Sequence, residues 1–573
     1  MSFKEQKEKW LLSDKVDTET KNMINNMSDS ELEDSFYRSL EFGTGGLRGI
    51  LGAGTNRMNI YTVRHATQGL ANFIKSKGEA YMKKGVAISY DSRHCSALFA
   101  RETASVLGAN GIKVYLSDSL RPVPELSFAV RHFGTAAGVM ITASHNPKEY
   151  NGYKVYGEDG GQLPPESAGI VLDFINKTDI FEDVKTADFT ELENSGVIVK
   201  FGAEFDKEFI ENVKKQQINP GIFEKAGNFK VVYTPLHGSG NVPVRMVLES
   251  IGVKNLILVE SQVQPDGDFP TVVSPNPENK EALTLGIELA KKENADFVLG
   301  TDPDCDRVGV AVKNKEGEFV TLTGNMVGAL LTYYILSCRK VNGTLPSDGI
   351  VVKTIVTSYM ADAICKDFGV AVENVLTGFK FIGEKMNSYE ESGEYTYLLG
   401  FEESYGYLSG MHARDKDGVE GAMLITEMAA YYKTLGKNLY DALLDLYDKY
   451  GTYRERTLAL TFKGIEGAEK IKSITANIRK NPPKEIAGLK VEALGDYLRR
   501  ERTDFLTGAK TPLTLPVSDV LLFELEGGAW IAARPSGTEP KIKFYIGTKE
   551  KTIELAEKKI DEIIDYVNSE FVK

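Results

Sequence analysis

The chain has 573 residues, too many for one ordinary hydrophobic core, so several domains of about 100 to 200 residues are expected. Its 42% hydrophobic and 26% charged residues exclude a disordered or membrane-embedded chain. The net charge of -13, from 68 basic and 81 acidic residues, excludes a general nucleic-acid binder, which needs clustered positive charge; anionic ligands must be attracted by local groups. Residues 1–6 are charged and lack an apolar signal region, so secretion is not expected and the mature chain is expected to start there.

Short apolar runs at 86–89, 230–233, 297–299 and 350–352 read as buried strands and alternate with amphipathic helical stretches. That alternation predicts an α/β fold whose ligands sit in loops beyond the strand carboxyl ends. A strand at 197–199 leading into a charged helix over 208–215 places a first domain boundary between 200 and 207. A hairpin over 308–320 places a second at 321–324, and the end of a long helical stretch places a third at 449–452. The expected domains are therefore 1–205, 206–322, 323–450 and 451–573. The most apolar span, 326–335, is shorter than the roughly 20 residues a bilayer crossing needs and reads as a buried helix. Ile553, Ala556, Ile560, Ile563 and Val567 give one apolar face, hence a helix docked on a core. Four cysteines without CxxC spacing fit a reduced, cytoplasmic protein and no thiolate metal site. Residue identity reveals no internal repeat.

Several loops carry chemistry. Thr142-Ala143-Ser144-His145-Asn146-Pro147 holds a serine between small residues at a predicted strand end, closed by a proline turn. Its hydroxyl is suited to carry a phosphoryl group, and a plain turn is the alternative, since Ser, Asn and Pro are common turn formers. Neighbours in an extended chain point to opposite sides, so a Ser144–His145 pair is not expected. In Asp302-Pro303-Asp304-Cys305-Asp306-Arg307, carboxylates at every second position project to one side of an extended backbone. Three hard oxygen donors suit Mg²⁺, with Cys305 as a spacer; a solvated acidic turn is the alternative. An EF-hand is excluded because Arg307 and Lys313 stand where glycine and glutamate are required.

Arg534-Pro535-Ser536-Gly537-Thr538-Glu539-Pro540-Lys541 has the composition of a phosphate cradle, with a plain loop as the alternative. Residues 400–406, Gly-Phe-Glu-Glu-Ser-Tyr-Gly, offer acceptors for sugar hydroxyls or make a helix-capping turn. The segments 377–380 and 412–418 are weak signals alone, and Lys416 reads as a surface charge. Arg93, after the strand at 86–89, is either a second phosphate-facing guanidinium or the local partner of Asp91. His65, His94, His132 and His237 have no metal-ligand spacing and read as structural.

Together with Asn151-Gly152-Tyr153-Lys154, the serine hexapeptide resembles the active serine loop of the α-D-phosphohexomutase family, which includes phosphoglucomutases and phosphomannomutases. Asp302–Arg307 is similar to the family's metal loop, 400–406 to its sugar-specificity loop, and 534–541 to its C-terminal phosphate loop. Residues 377–380 and 412–418 resemble its cleft-lining segments, and Gly43–Gly49 the element that brings an arginine, here Arg48, to the phosphoserine. The matches fall in all four expected domains, in the family's order.

The resemblance implies three α/β domains with mixed sheets, sharing one topology, plus a C-terminal α+β domain around a central cleft. It implies Ser144 as the phosphorylated nucleophile, and one Mg²⁺ bound by Asp302, Asp304, Asp306 and the group on Ser144. Arg48 and Lys154 become charge stabilisers, with Lys154 first and His145 second as proton acceptor. Thr377, Gly378, Glu402, Ser404, Lys416, Arg534, Ser536, Gly537, Thr538 and Lys541 become substrate-binding residues. The implied reaction interconverts α-D-glucose 1-phosphate and D-glucose 6-phosphate, with glucose 1,6-bisphosphate as intermediate and activator, in a monomer or homodimer. The sugar loop lacks the histidine of the bacterial phosphomannomutase/phosphoglucomutase version, which disfavours mannose. Pentose or mannose phosphates, a metal-dependent sugar phosphatase and a sugar-phosphate sensor are the alternatives.

Overall fold

The computed structural model describes residues 2–43, 46–462, 464–536 and 541–572, with all side chains among them except those of 464–466 and 468. The predicted buried strands are present at Val86–Tyr90, Lys230–Thr234, Phe297–Thr301 and Gly349–Thr354, and nearly every residue in them is buried. Their near-continuous Val/Ile/Leu runs suit strands covered on both faces.

Among the described residues, three of the four sheets repeat one four-strand unit. In the first, Tyr150–Tyr156, Ala137–Ile141, Val86–Tyr90 and Val114–Ser117 lie side by side. The second sets Val308–Lys313, Phe297–Thr301, Lys230–Thr234 and Asn255–Leu258 in the same order; the third sets Gly406–Leu408, Thr396–Glu402, Gly349–Thr354 and Ala371–Val375. In each unit the first pairing is antiparallel. The other two pairings are parallel. Parallel neighbours require crossovers, and helices such as Ser96–Ala109, Asn241–Ser250 and Met360–Phe368 supply them. The tight turn joining the one antiparallel pair of each unit falls at 142–149, 302–307 and 403–405. These are the loops singled out for serine, metal and sugar.

The fourth sheet is antiparallel throughout its pairings, from Thr452–Thr461 to Lys541–Glu550 and Trp530–Pro535, then onward to a hairpin at Glu501–Asp504 and Lys510–Pro512. Helices Gly464–Lys480 and Ile553–Tyr566 pack on it through Ile471, Ile474, Ile478, Ile560 and Ile563, forming a core separate from the rest. Ala556, Ile560, Ile563 and Val567 are fully buried, as the terminal periodicity predicts.

The first three sheets share one continuous core that runs from Ala87 through Val231 to Val351. Its centre is the apolar helix Gly324–Val341, started by a Thr323 capping box. A Cβ at Gly328 would stand 2.2 Å from the Phe401 ring. Glycine there lets the helix approach the strand that ends in the sugar loop.

One expected element shifts. The helix foreseen over 208–215 runs from Ala203 to Lys214, because Phe205, Phe209, Ile210 and Val213 already form its buried face. Among the described residues, no helix is long and apolar enough to cross a membrane. The N-terminal helices Phe3–Leu12, Thr18–Asn25 and Asp29–Phe36 are anchored by Trp10, whose ring packs edge-on against Phe36, Tyr61 and Phe181.

Candidate active site

Ser144 sits three residues beyond a strand end in the left-handed region, φ 53°. A non-glycine residue is rarely held there. Its N–H donates to Thr142 Oγ1 at 2.8 Å, and the Thr142 hydroxyl donates to Asp91 Oδ2 at 2.6 Å, which fixes the turn. The Ser144 hydroxyl donates to Asp302 Oδ2 at 3.0 Å. His145 Nδ1 lies 3.1 Å from the same Oγ. The sequence argument against a Ser144–His145 contact fails because the left-handed turn, unlike an extended strand, puts consecutive side chains on one side. Burial, reinforced by Arg307 and Arg48, holds the His145 imidazole well below the usual histidine range, hence neutral.

The three aspartates converge as expected, with oxygens of Asp302, Asp304 and Asp306 within 4.8 Å of one another. The route differs from the one foreseen. The backbone turns at Cys305, φ 49°, whose N–H donates to Asp302 O at 2.9 Å, so a tight turn rather than an extended run gathers the carboxylates. Burial, with Asp304 and Asp306 close by, pushes Asp302 well above the ordinary carboxylate range. Burial opposes ionisation of Asp304 too, but Lys154, 2.9 Å away, holds it below that range. The Oδ1 atoms of Asp304 and Asp306 are buried without a hydrogen-bond partner. All-oxygen donors, orphaned oxygens and an adjacent serine hydroxyl fit a hard divalent cation.

Lys154 Nζ contacts Asp304 and Asp306, at 2.9 and 3.7 Å. Its neighbours are thus carboxylates, which favour its charged form. Lys416 is not a surface charge. Its side chain is 12% exposed and its ammonium lies 3.2 Å from Asp306 and 3.1 Å from Asp415. A Cβ at Gly406 would stand 2.0 Å from Lys416 Cδ, so only glycine leaves room for that stem. Arg307, also in the metal turn, is held charged against its burial by Glu278, Asp306 and Asp302.

His145, Lys154 and Arg307, in contact with these groups, border a cleft of about 1600 Å³ to which all four sheets contribute. Arg48, His145 and Lys154 come from the first, and Arg48 Nη1 donates to Asn146 Oδ1 at 3.3 Å. Thr377, Gly378, Glu402 and Ser404 come from the third, where Glu402 accepts the Gly378 N–H at 2.8 Å. Arg534 and Lys541 come from the fourth. The Ser536 N–H donates to Lys541 O at 2.7 Å at the base of the phosphate loop, whereas Gly537 and Thr538 lie outside the described residues.

Arg93 follows the second of its two readings. It pairs with Asp91 and donates to loop carbonyls instead of facing the cleft. The cleft also holds Lys380 and Glu403, from segments the sequence reading named without singling out these two residues, and Lys543 and Tyr545, which it did not name. Lys543 was within reach, since it pairs across strands with Arg534 and lies two residues from Lys541 on one sheet face. Burial and the adjacent Glu402 push Glu403 up to about 7.

A four-strand unit used three times, with its three turns meeting in one cleft closed by an antiparallel domain, defines a multidomain sugar-phosphate mutase architecture. Sequence models for phosphoglucomutase/phosphomannomutase alpha/beta/alpha domains I, II and III match residues 39–180, 207–317 and 323–450. The chain belongs to that family. A phosphoglucomutase of Staphylococcus epidermidis is 37% identical over 544 residues, spanning 95% of this chain and 97% of the relative. One from Staphylococcus aureus is 36% identical over 549 residues, 96% of each. Among solved structures, the open form of the Paramecium phosphoprotein pp63/parafusin, a phosphoglucomutase, shares the fold with a TM-score of 0.68 at 16% identity, covering 93% of this chain and 96% of that one. A phosphoglucomutase/phosphomannomutase family protein from Burkholderia thailandensis has a TM-score of 0.64 at 17% identity, covering 92% and 97%.

Proposed function

We propose that this chain catalyses the reversible interconversion of α-D-glucose 1-phosphate and D-glucose 6-phosphate, through a phosphorylated Ser144 and glucose 1,6-bisphosphate. The observation that carries this reading is the Ser144 hydroxyl set 3.0 Å from Asp302 of a buried carboxylate triad, with the adjoining His145, Lys154 and Arg307 lining the cleft to which all four sheets contribute. Full-length relatives that carry the phosphoglucomutase name support the choice of sugar.

In the forward direction the Oγ–P bond of phosphorylated Ser144 breaks as the sugar's O6–P bond forms, and the O6 proton passes by way of the neutral His145 to the Oγ left behind. The bisphosphate then turns over in the cleft; its O1–P bond breaks as the phosphoryl returns to Ser144 Oγ, and the Oγ proton passes by way of the neutral His145 Nδ1, 3.1 Å away, to the sugar O1. Asp302, Asp304 and Asp306 are the residues to hold Mg²⁺, which when bound neutralises charge on the transferring phosphoryl group. Phosphoryl transfer gains mainly from alignment and charge stabilisation, the parts assigned to Arg48, Lys154 and Lys416. Lys154, its ammonium 2.9 Å from the Asp304 carboxylate, serves as a charge stabiliser, and the neutral His145 takes the part of proton acceptor. Glu402 and Ser404 read sugar hydroxyls, assisted by Thr377 and Gly378. Arg534, Ser536, Gly537, Thr538 and Lys541 hold the distal phosphate whichever carbon bears it. Domains at 1–205, 206–322, 323–450 and 451–573, a cytoplasmic location and a monomer or homodimer complete the reading.

The test is intact mass after incubation with glucose 1,6-bisphosphate, followed by peptide mapping and turnover on glucose, mannose and ribose 1-phosphates. A phosphoryl group on the peptide containing Ser144, with preference for glucose, is expected. Absence of that adduct from active protein overturns the nucleophile, and release of inorganic phosphate without bisphosphate dependence favours a phosphatase.

A further inference from the structure

Arg93 takes no part in the steps above, yet its side chain is wholly buried, as is that of Asp91 beside it. A buried guanidinium must be fully paired. Nη1 donates to the carbonyls of Pro147 at 2.9 Å and Tyr150 at 3.1 Å. Nη2 donates to those of Ser144 at 2.5 Å and Asn146. Nε makes no hydrogen bond and has only an ion-pair contact, 3.4 Å from Asp91 Oδ2. Both terminal nitrogens are thus spent on the backbone of the serine turn, which leaves no fork to grip a phosphate. Four carbonyl oxygens converging on one point repel one another, and the planar, permanently charged guanidinium satisfies them together.

The second sheet's unit closes over this centre. The Phe269 ring lies 5.0 Å from the guanidinium carbon and is itself buried, with φ 46°. A Cβ at Gly267 would stand 2.7 Å from the His94 backbone nitrogen, and the Ser274 hydroxyl donates to His145 O at 2.8 Å. The loop 264–274 that makes these contacts belongs to the unit that carries Asp302, Asp304 and Asp306.

We propose that Arg93 is a positioning residue that organises the serine turn from beneath and, through the cover of Phe269, sets Ser144 Oγ against the carboxylate triad of the second unit. This rests on the reading of Ser144 as phosphoryl carrier. The mechanism is geometric: the turn keeps its left-handed Ser144 only while its carbonyls are gathered, and it keeps its register to Asp302 only while the second unit's loop sits on the guanidinium face.

The experiment compares Arg93→Lys, Arg93→Ala and Phe269→Leu in the full chain, with Mg²⁺ and glucose 1,6-bisphosphate, by steady-state kinetics and thermal melting. Because displacing a reacting atom by about 1 Å costs on the order of a hundredfold, Arg93→Lys should lower kcat by about that factor with KM little changed. Methylguanidinium added to Arg93→Ala should restore part of kcat, whereas ethylammonium should not. Phe269→Leu should lower kcat by a smaller factor while melting as the parent does. A folded Arg93→Lys with parental kcat, a loss that falls on KM alone, or no distinction between the two added cations overturns the proposal. If Arg93→Lys fails to fold, Phe269→Leu decides, and parental kcat in that variant overturns it. Ser144→Ala runs alongside: turnover retained there defeats the nucleophile itself, a failure distinct from that of the Arg93 variants alone.

Discussion

Lys380 offers a test of the cleft's electrostatics through pH. It is the second residue of the helix Phe379–Ser392, lines the cleft and is 7% exposed. Burial pushes its ammonium from the ordinary 10.5 down to about 8; Glu384 opposes the shift and Arg534 adds to it. A phosphate in the cleft favours the protonated form, so substrate affinity should fall as pH rises through 8. If only the protonated lysine binds well, KM should rise about tenfold between pH 7 and 9, following a single group of pKa about 8. The stability sign is opposite. Between about 8 and 10.5 the unfolded chain binds the proton and the folded one does not, so stability rises with pH across that window. The full change is about 3 kcal/mol at roughly 1.4 kcal/mol per pH unit. The assay is KM for glucose 1-phosphate from pH 6.5 to 9.5 for the parent and Lys380→Arg, whose guanidinium stays charged throughout. The comparison also separates Lys380 from Glu403, which titrates nearby at about 7. An identical pH curve for both proteins refutes the assignment.

Three further outcomes are expected. Ser144→Ala should lose mutase turnover and phosphoprotein formation while its melting temperature stays near the parent's, because the hydroxyl makes few structural contacts beyond Asp302 and His145. Asp304→Asn should raise the Mg²⁺ midpoint by at least about a hundredfold, since loss of even an outer partner costs 10- to 100-fold; an unchanged metal titration would show the turn to be structural. Trp10→Ala should cost about 3 to 5 kcal/mol in urea unfolding, as the buried ring is the centre of the N-terminal cluster; a loss under about 1 kcal/mol would mean that the N-terminal helices unfold separately.

Much of the fold was legible because its signals are local. Runs such as Val231-Val232-Tyr233 and the apolar face from Ala556 to Val567 announce a buried strand and a docked helix without reference to distant residues. The serine, metal and sugar loops were picked out by their resemblance to the family's loops, since residue type alone left a plain turn open at each. Their geometry was not legible. Ser144 and Cys305 both adopt positive φ that no side chain in them announces, so the Ser144–His145 approach and the tight aspartate turn were misjudged. Lys416 looked like a solvated charge because its acidic partner Asp306 stands 110 residues away and meets it only across domains. Arg93 was ambiguous for the same reason: its partners at 144–150 lie half a hundred residues further on. The order of strands, identical in three sheets, left no trace in residue identity because buried positions accept any hydrophobic residue of suitable size.

The triplicated scaffold separates what can drift from what must hold. The serine, aspartate and 403–405 turns occupy corresponding corners of three copies of one design, so on the proposed reading a change of preferred sugar needs edits only at 403–405 and its neighbours, with the other two corners untouched. The first two corners enjoy no such independence, because the serine and the aspartates must stay within bonding reach of each other across a seam between copies. Selection on this chain should therefore press hardest on that seam and leave the third corner free to explore new substrates.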